Sequence, residues 1–308
     1  MSDNFMNNSN ISQTCLNKIN EEARQRAAHH VIGFVQLASS SDEILNRKSH
    51  TLGSGVLAKI GEIRGIITAH HVADALVAIG EVGIAPFSTN EAKPLGINIT
   101  ITKTDIIGLR PSGEYDANGP DLAFVVIDPN IAGWLSSTHA FLNIDRSMNE
   151  WKNDSFNKGT AFSTVTGVVD EETTATISPG TANISVHGTA TPVINSNYRT
   201  IDDFDLFDIK PQYENGEKFP ESFGGLSGGP VWYFLFSHQD DNCRILEHRL
   251  CGIAFWETES TSSGRSIICH GRKSIYDVLV PEIQRIWPSA TTVTAETPSA
   301  TALSGSSV

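Results

Sequence analysis

The segment FGGLSGGPVW, residues 223–232, places one serine among four glycines and ends in an apolar run. Glycine loses more conformational freedom on folding than any other residue, so this density is unfavourable unless the backbone requires it. A glycine-rich turn before a strand is one explanation. The other is that Ser227 is a nucleophile whose neighbouring backbone N–H groups point into a site. That explanation requires a base and an orienting acid elsewhere in the chain.

Two further segments offer these groups. IITAHHVADAL, residues 66–76, ends an apolar strand at His70 and His71 and then begins a short helix. NGPDLAFVVID, residues 118–128, places Asp121 just after a turn and at the head of another apolar strand. A carboxylate at that point is explained about equally well by a turn or strand cap and by an orienting role.

The three segments occur in the order His, Asp, Ser, separated by 50 residues (121 − 71) and 106 residues (227 − 121). In order and in type, TAHH, DLA and GLSGGP resemble the motifs of the chymotrypsin-like serine proteases. The resemblance spans residues 30–288 and is strong only at these motifs. It implies a serine endopeptidase that hydrolyses peptide bonds through an acyl-enzyme intermediate, with no cofactor and no metal.

Two other functions fit parts of the pattern. A catalytically silent protein of the same fold could serve as a protein-binding module. An esterase on an α/β-hydrolase fold would also use Gly-x-Ser-x-Gly, but with a helix after the serine and the histidine later in the chain. Here a strand follows the serine, and the best base precedes it.

The resemblance also assigns roles to the residues of the triad. His71 would be the general base, in preference to its neighbour His70. Asp121 would orient the base, in preference to Asp116 and Asp128. Ser227 would attack the substrate.

The backbone N–H groups of Gly225 and Ser227 would form the oxyanion hole. Trp256, in LCGIAFWE, would line the primary substrate pocket, although it also suits a core position. Glu221 would lie at the base of that pocket and Glu257 at its rim. Two carboxylates there would favour cleavage after Arg or Lys. If both point to solvent, a small or aliphatic residue is favoured instead.

Three positions depart from the family pattern. Leu226 replaces the aspartate that pairs with a newly cut N-terminus, so we expect no activation by that route. Phe255 stands where a serine often supports the catalytic aspartate, which leaves Thr68 as the nearby polar group. Val72 replaces a cysteine that often follows the histidine.

Composition restricts the partners. The net charge is −13 and no basic cluster is present, which argues against nucleic acid or an anionic membrane. The expected partners are a protein or peptide substrate and a regulatory protein.

No secretory signal or long apolar stretch was found, so the four cysteines predict free thiols in a reducing cytoplasm. A zinc site is a weaker alternative, because the spacing fits no compact pattern; its ligands would be Cys243, His248, Cys251, Cys269 and His270.

Short runs rich in Val, Ile, Phe and Thr, separated by turn residues, predict an all-β protein. We expect two six-stranded antiparallel Greek-key barrels and a short C-terminal helix. The predicted organisation has four parts: a polar segment 1–28 with a short helix from about Leu16, a first barrel 29–145 with the histidine and aspartate, a second barrel 146–288 with the serine, and a disordered tail 289–308.

Overall fold

The computed structural model describes residues 11–36, 51–87, 97–153, 160–178, 181–185, 188–212, 220–239, 242–259 and 265–288. The predicted tail 289–308 and the first ten residues lie outside the described residues. Within these ranges the chain is mostly β, as predicted, and its strands form two large sheets and one separate hairpin.

The first sheet contains the segments predicted to carry the histidine and the aspartate. Its path is β5-β4-β1-β2-β3-β7-β6, and every pair along it is antiparallel. The pairing of the described strands leaves β5 and β6 as open edges, so the sheet forms a curled half-barrel. The strands are β1 Val31–Gln36, β2 Thr51–Ile60, β3 Ile63–Thr68, β4 Glu81–Pro86, β5 Ile97–Thr100, β6 Ile106–Leu109, β7 Leu122–Val126 and β8 Leu142–Asn143, which pairs with β2.

The second sheet is a closed barrel of six strands, in the order β12-β13-β16-β15-β14-β9. A β-barrel in the second half of the chain is thereby confirmed. Its strands are β9 Thr160–Val168, β12 Gly188–Ile201, β13 Phe204–Pro211, β14 Pro230–Gln239, β15 Asn242–Glu257 and β16 Ile267–His270. The remaining two, β10 Thr174–Ser178 and β11 Thr181–Ser185, form the separate hairpin.

Helices are few and short. They are α1 Gln13–Ala28, α2 His70–Ile79, α3 Pro129–Leu135, α4 Ile144–Lys152 and α5 Val280–Ile286, which a π-helical segment Lys273–Leu279 precedes. In the described part of the chain, none of them combines the length and the apolar character needed to cross a membrane.

Helix α1 begins three residues earlier than the apolar spacing predicts. The Ser12 hydroxyl accepts the Cys15 N–H at 3.2 Å and caps its first turn. The buried face carries Cys15, Ile19 and Ala23, whereas Leu16, which we expected there, is only half-buried.

A disulfide joins Cys15 on α1 to Cys243 on β15, with the Cα atoms 5.6 Å apart. The prediction of four free thiols is therefore wrong for these two residues. They lie 228 positions apart, and only the packing of α1 against β15 brings them together. Cys251 and Cys269 are buried and form no disulfide, as expected of core residues. The cysteines thus no longer favour a reducing compartment.

The two sheets share a core, which fixes the position of one sheet against the other. A single apolar cluster contains side chains from the first sheet, from the second sheet and from α1. Among its members are Ile19, Val56, Ile67, Phe124, Phe162, Trp232 and Phe234. Segments at the edges of the two sheets are therefore held at fixed distances from each other, and Asp121, Gly225 and Ser227 lie on such loops.

Candidate active site

His71 and Asp121 meet because of the pairing of two strands. Antiparallel pairing sets Thr68, the last residue of β3, opposite Ala123 near the start of β7. His71 lies in the first turn of α2, just after β3, and Asp121 immediately precedes β7. The aspartate is fully buried, whereas the histidine side chain is 33% exposed. A buried carboxylate thus lies behind a solvent-accessible imidazole.

Both N–H groups on the inner side of His71 are directed at that carboxylate. The His71 backbone N–H donates to Asp121 Oδ1 at 2.9 Å, and Nδ1 lies 2.6 Å from Oδ2. An ionised carboxylate is an acceptor only, so Nδ1 carries the proton. In the neutral ring, Nε2 is then an acceptor. The histidine can therefore take a proton on the side that faces the solvent.

The glycines around Ser227 are required by the conformation of the loop. Gly225 and Gly228 have φ values of +88° and +85°, in the left-handed region that favours glycine. A Cβ at Gly228 would overlap the Ser54 carbonyl oxygen and the Thr68 hydroxyl. In the described structure, neither the Gly225 nor the Ser227 N–H is bound to an acceptor. Two amides close to the serine are therefore available to an anion.

Ser54, on β2 of the first sheet, holds this loop, and the sequence analysis missed it. Its N–H donates to the Ser227 carbonyl at 2.7 Å, and its hydroxyl donates to the Gly225 carbonyl at 2.8 Å. Its own carbonyl accepts the Thr68 hydroxyl at 2.7 Å. The only available signal was a serine between two glycines within a strand pattern. Ser54 thus couples the strand bearing the histidine to the loop bearing the serine.

The Ser227 hydroxyl points to the Phe255 carbonyl oxygen, at 3.4 Å. Among the described residues it has no hydrogen bond to His71. Rotation about the Ser227 Cα–Cβ bond would re-aim the hydroxyl between staggered positions. Catalytic hydrogen bonds often form or tighten only when substrate is present.

Tyr115 packs against the side of His71, with ring centroids 5.8 Å apart in an edge-on arrangement. Its hydroxyl donates to Asp74 Oδ2 at 2.6 Å and lies 2.7 Å from His70 Nδ1, which must therefore donate to it. Burial lowers the pKa of His70, and burial together with the Asp74 hydrogen bond raises the pKa of Tyr115. His70 is thus a buried, neutral partner of Tyr115, and nothing in the sequence indicated either role.

Glu257, expected at the rim of the substrate pocket, is fully engaged within the chain. Its carboxylate accepts the Ser222 hydroxyl at 2.9 Å and the Phe223 N–H at 3.2 Å. Arg265 forms an ion pair with it at 3.2 Å. The negative charge is therefore already compensated, and Glu257 offers less attraction to a cationic substrate residue than we expected.

The other expected pocket residues lie as follows. Glu221 is exposed, and its N–H donates to the Glu171 carboxylate at 2.9 Å. Trp256 is half-buried against the core of the first sheet.

Asp116 and Asp128, the less favoured candidates for the orienting acid, each accept a backbone N–H two residues further on. Of the predicted site residues, His71 and Asp121 are joined by two hydrogen bonds, and Gly225 and Ser227 lie together on the glycine loop.

Metal binding finds no support in the part of the chain that the structure describes. No group of three or more His, Cys, Asp or Glu side chains there could hold an ion. Of the five residues considered for zinc, Cys243 is in the disulfide and His270 is bonded to the Asp121 backbone.

Comparison with known proteins does not assign the chain. No protein-family model matches it, and no curated protein matches it either. The two barrel-like sheets are consistent with a chymotrypsin-like fold. A functional assignment therefore depends on the geometry of these residues.

Proposed function

We propose that the chain is a serine endopeptidase with the two-barrel, chymotrypsin-like fold, acting on a protein or peptide substrate. One observation carries the proposal: His71 directs two N–H groups at the buried Asp121 carboxylate, across from a glycine loop with two unused amides beside Ser227. A structural turn requires neither a fixed imidazole tautomer nor free amides. Acyl transfer requires both.

The first half of the reaction follows from these positions. Ser227 Oγ attacks the scissile carbonyl carbon while His71 Nε2 takes the hydroxyl proton. The tetrahedral oxyanion accepts the Gly225 and Ser227 N–H groups, each worth about 3 kcal/mol in the transition state. The C–N bond then breaks, and His71 returns its proton to the leaving amine. The acyl group remains on Ser227.

Water completes the cycle. His71 removes a proton from the water as it attacks the acyl carbon, and then protonates Ser227 Oγ as it leaves. Asp121 holds the Nδ1–H tautomer and compensates the positive charge of the imidazolium in both halves. Its complete burial makes this compensation stronger than it would be in water.

A cavity of about 520 Å³ beside the Asp121 strand offers room for substrate. One side of the cavity is the segment that contains Tyr115, which connects two strands of the first sheet. The other side is the turn between β12 and β13 of the second sheet.

A second function, a silent binding module, is favoured by one observation. The Ser227 hydroxyl is hydrogen-bonded to Phe255 and not to His71. If that bond persisted with substrate present, the nucleophile would not be activated. The same cleft could then bind a peptide without cutting it.

Peptide hydrolysis by the wild type and three variants tests the proposal. We expect Ser227→Ala, His71→Ala and Asp121→Asn each to lower kcat by about 10⁴-fold or more, without unfolding the chain. The losses should not add, because the three groups act as one unit. Near-wild-type turnover by Ser227→Ala would contradict the mechanism. Peptide binding without turnover by the wild type would support the binding module.

A further inference from the structure

His270 is a fully buried polar residue that the proposed mechanism does not use. It ends β16 of the second barrel, and its ring lies between Phe204 and Phe255 at centroid distances of 5.7 and 4.7 Å. Its Nε2 accepts the backbone N–H of Asp121 at 2.9 Å. This hydrogen bond crosses from the second barrel to the first sheet, directly behind the carboxylate that holds His71.

The partners of His270 determine which of its ring nitrogens carries the proton. Because Nε2 accepts the Asp121 N–H, a neutral His270 carries its proton on Nδ1. Nδ1 lies 3.2 Å from the Ser274 hydroxyl oxygen, which accepts it. Ser274 also accepts the Asp205 N–H at 2.9 Å, and its own proton faces two acceptors of Asp205, Oδ1 at 2.8 Å and the carbonyl oxygen at 2.9 Å. A buried chain thus runs from Asp205 through Ser274 and His270 to the Asp121 peptide.

No other side chain among the described residues ties Asp121 to the second barrel. Both hydrogen bonds to its carboxylate come from His71. Phe255 carries no hydroxyl with which to support it, and the Thr68 hydroxyl is given to the Ser54 carbonyl. Among the described residues, His270 is therefore the side chain that ties the Asp121 backbone to the second sheet by a hydrogen bond.

We propose that His270 is a positioning residue, whose neutral imidazole holds the Asp121 peptide so that its carboxylate keeps His71 aimed at Ser227. The assignment rests on the proposed function and deepens it. Its chemical requirement is a buried acceptor at the place of Nε2, with the ring proton held on Nδ1 by Ser274.

Protonation of His270 would break the network, because two N–H donors would then face each other. Burial lowers the pKa of His270 to about 4, while the two carboxylates that face it, Asp121 and Asp205, act in the opposite direction. The ring also contacts the aromatic rings of Phe204 and Phe255, which carry no charge. At neutral pH the ring is therefore an acceptor at Nε2, as the geometry requires.

Substitutions at His270 separate positioning from simple stability. Glutamine can place a carbonyl oxygen near the position of Nε2, whereas leucine cannot accept a hydrogen bond. We expect His270→Leu to lower kcat by about 100-fold with little change in KM, since a misplacement of about 1 Å can have that effect. His270→Gln should recover most of the activity. His248→Leu is the matched control, because it removes a half-buried histidine of the barrel that has no hydrogen bond or ring contact with the site.

Two NMR measurements test the same claim without peptide turnover. Amide exchange at Asp121 should be slow in the wild type and in His270→Gln, and fast in His270→Leu. The proton between His71 Nδ1 and Asp121 Oδ2, strongly downfield because the bond is short, should broaden in His270→Leu and persist in the control. If His270→Leu does not fold, Ser274→Ala, which removes the acceptor of Nδ1–H, should show the same changes more weakly.

The outcomes are distinct. Fast exchange of the Asp121 amide in the wild type, or an unchanged His71 proton signal in folded His270→Leu or Ser274→Ala, would overturn the positioning role. So would an equal loss of kcat in His248→Leu. If the wild type cleaves nothing, the proposed function fails, and the NMR comparison still decides whether His270 positions Asp121.

Discussion

At the scale of single residues, Ser54 decides whether the loop around Ser227 keeps its shape. Its hydroxyl donates to the Gly225 carbonyl and accepts the Val168 N–H, both at 2.8 Å, in a fully buried position. Removing the hydroxyl would leave two buried backbone groups without a partner. Each such group typically destabilises a fold by about 1–3 kcal/mol.

We therefore expect Ser54→Ala to lower the free energy of unfolding by at least about 1–3 kcal/mol and to slow acyl transfer. Denaturant unfolding followed by peptide hydrolysis measures both effects. Ser136→Ala is a suitable control, since that hydroxyl is exposed and bonds only within α3. An unchanged hydrolysis rate in Ser54→Ala would show that Ser54 does not hold the oxyanion loop.

The residues predicted for the candidate site are those whose signal in the sequence is local. His71, Asp121 and Ser227 each lie in a short motif. Their order along the chain supplied the resemblance from which their roles were predicted. Ser54 and His270 could not be found in this way. Their roles come from contacts across 171 and 149 residues, which no spacing pattern records.

At the scale of elements, two strands of the closed barrel were not predicted from the sequence. We did not predict β12 or β13, because NSNYRT within β12 and the acidic residues of β13 are typical of loops. Barrel closure nevertheless depends on them, since β12 pairs with both β9 and β13. Pairing within a closed sheet thus outweighs local preference.

Helix α1 is attached to the second barrel more firmly than its amphipathic pattern suggested. Besides the disulfide, Glu22 accepts the Ile245 N–H at 3.0 Å, and Arg26 donates to the Ile245 carbonyl at 3.1 Å. Leu226 argues against activation by a newly cut N-terminus, but it says nothing about stability. Removal of residues 1–25 takes away most of α1 and should therefore destabilise the barrel.

Loss of the disulfide should measure this attachment. We expect Cys15→Ser to lower the free energy of unfolding by about 2–5 kcal/mol, because the cross-link restricts a long loop of the unfolded chain. A reductant should lower the stability of the wild type by the same amount and leave that of Cys15→Ser unchanged. Rapid reaction of Cys15 with a thiol reagent in the native, unreduced protein would contradict the assignment.

At the scale of the whole molecule, buried histidines make stability depend on pH. Burial lowers the pKa values of His248 and His270 to about 4. It also lowers the pKa values of His30, His70 and His139. In the unfolded chain these groups titrate near 6.5. Between pH 6.5 and 4 the unfolded state therefore binds more protons, so stability falls as pH falls.

For His248 and His270 the expected loss between pH 7 and pH 5 is about 2 kcal/mol each. Chemical denaturation at both pH values measures it. His248→Gln should be clearly less sensitive to pH than the wild type. Equal stability of the wild type at pH 7 and pH 5 would show that these histidines are not buried and neutral in the folded state.

A fluorophosphonate probe tests the central claim most directly. In the proposed site, Ser227 Oγ attacks the phosphorus, fluoride leaves, and His71 takes the hydroxyl proton. Intact-mass measurement should show one probe on each native chain, and peptide mapping should place it on Ser227. Labelling should be absent in Ser227→Ala and in denatured wild type. Native, folded wild type that remains unlabelled, or that is labelled equally after Ser227→Ala, would contradict the claim that Ser227 is an activated nucleophile.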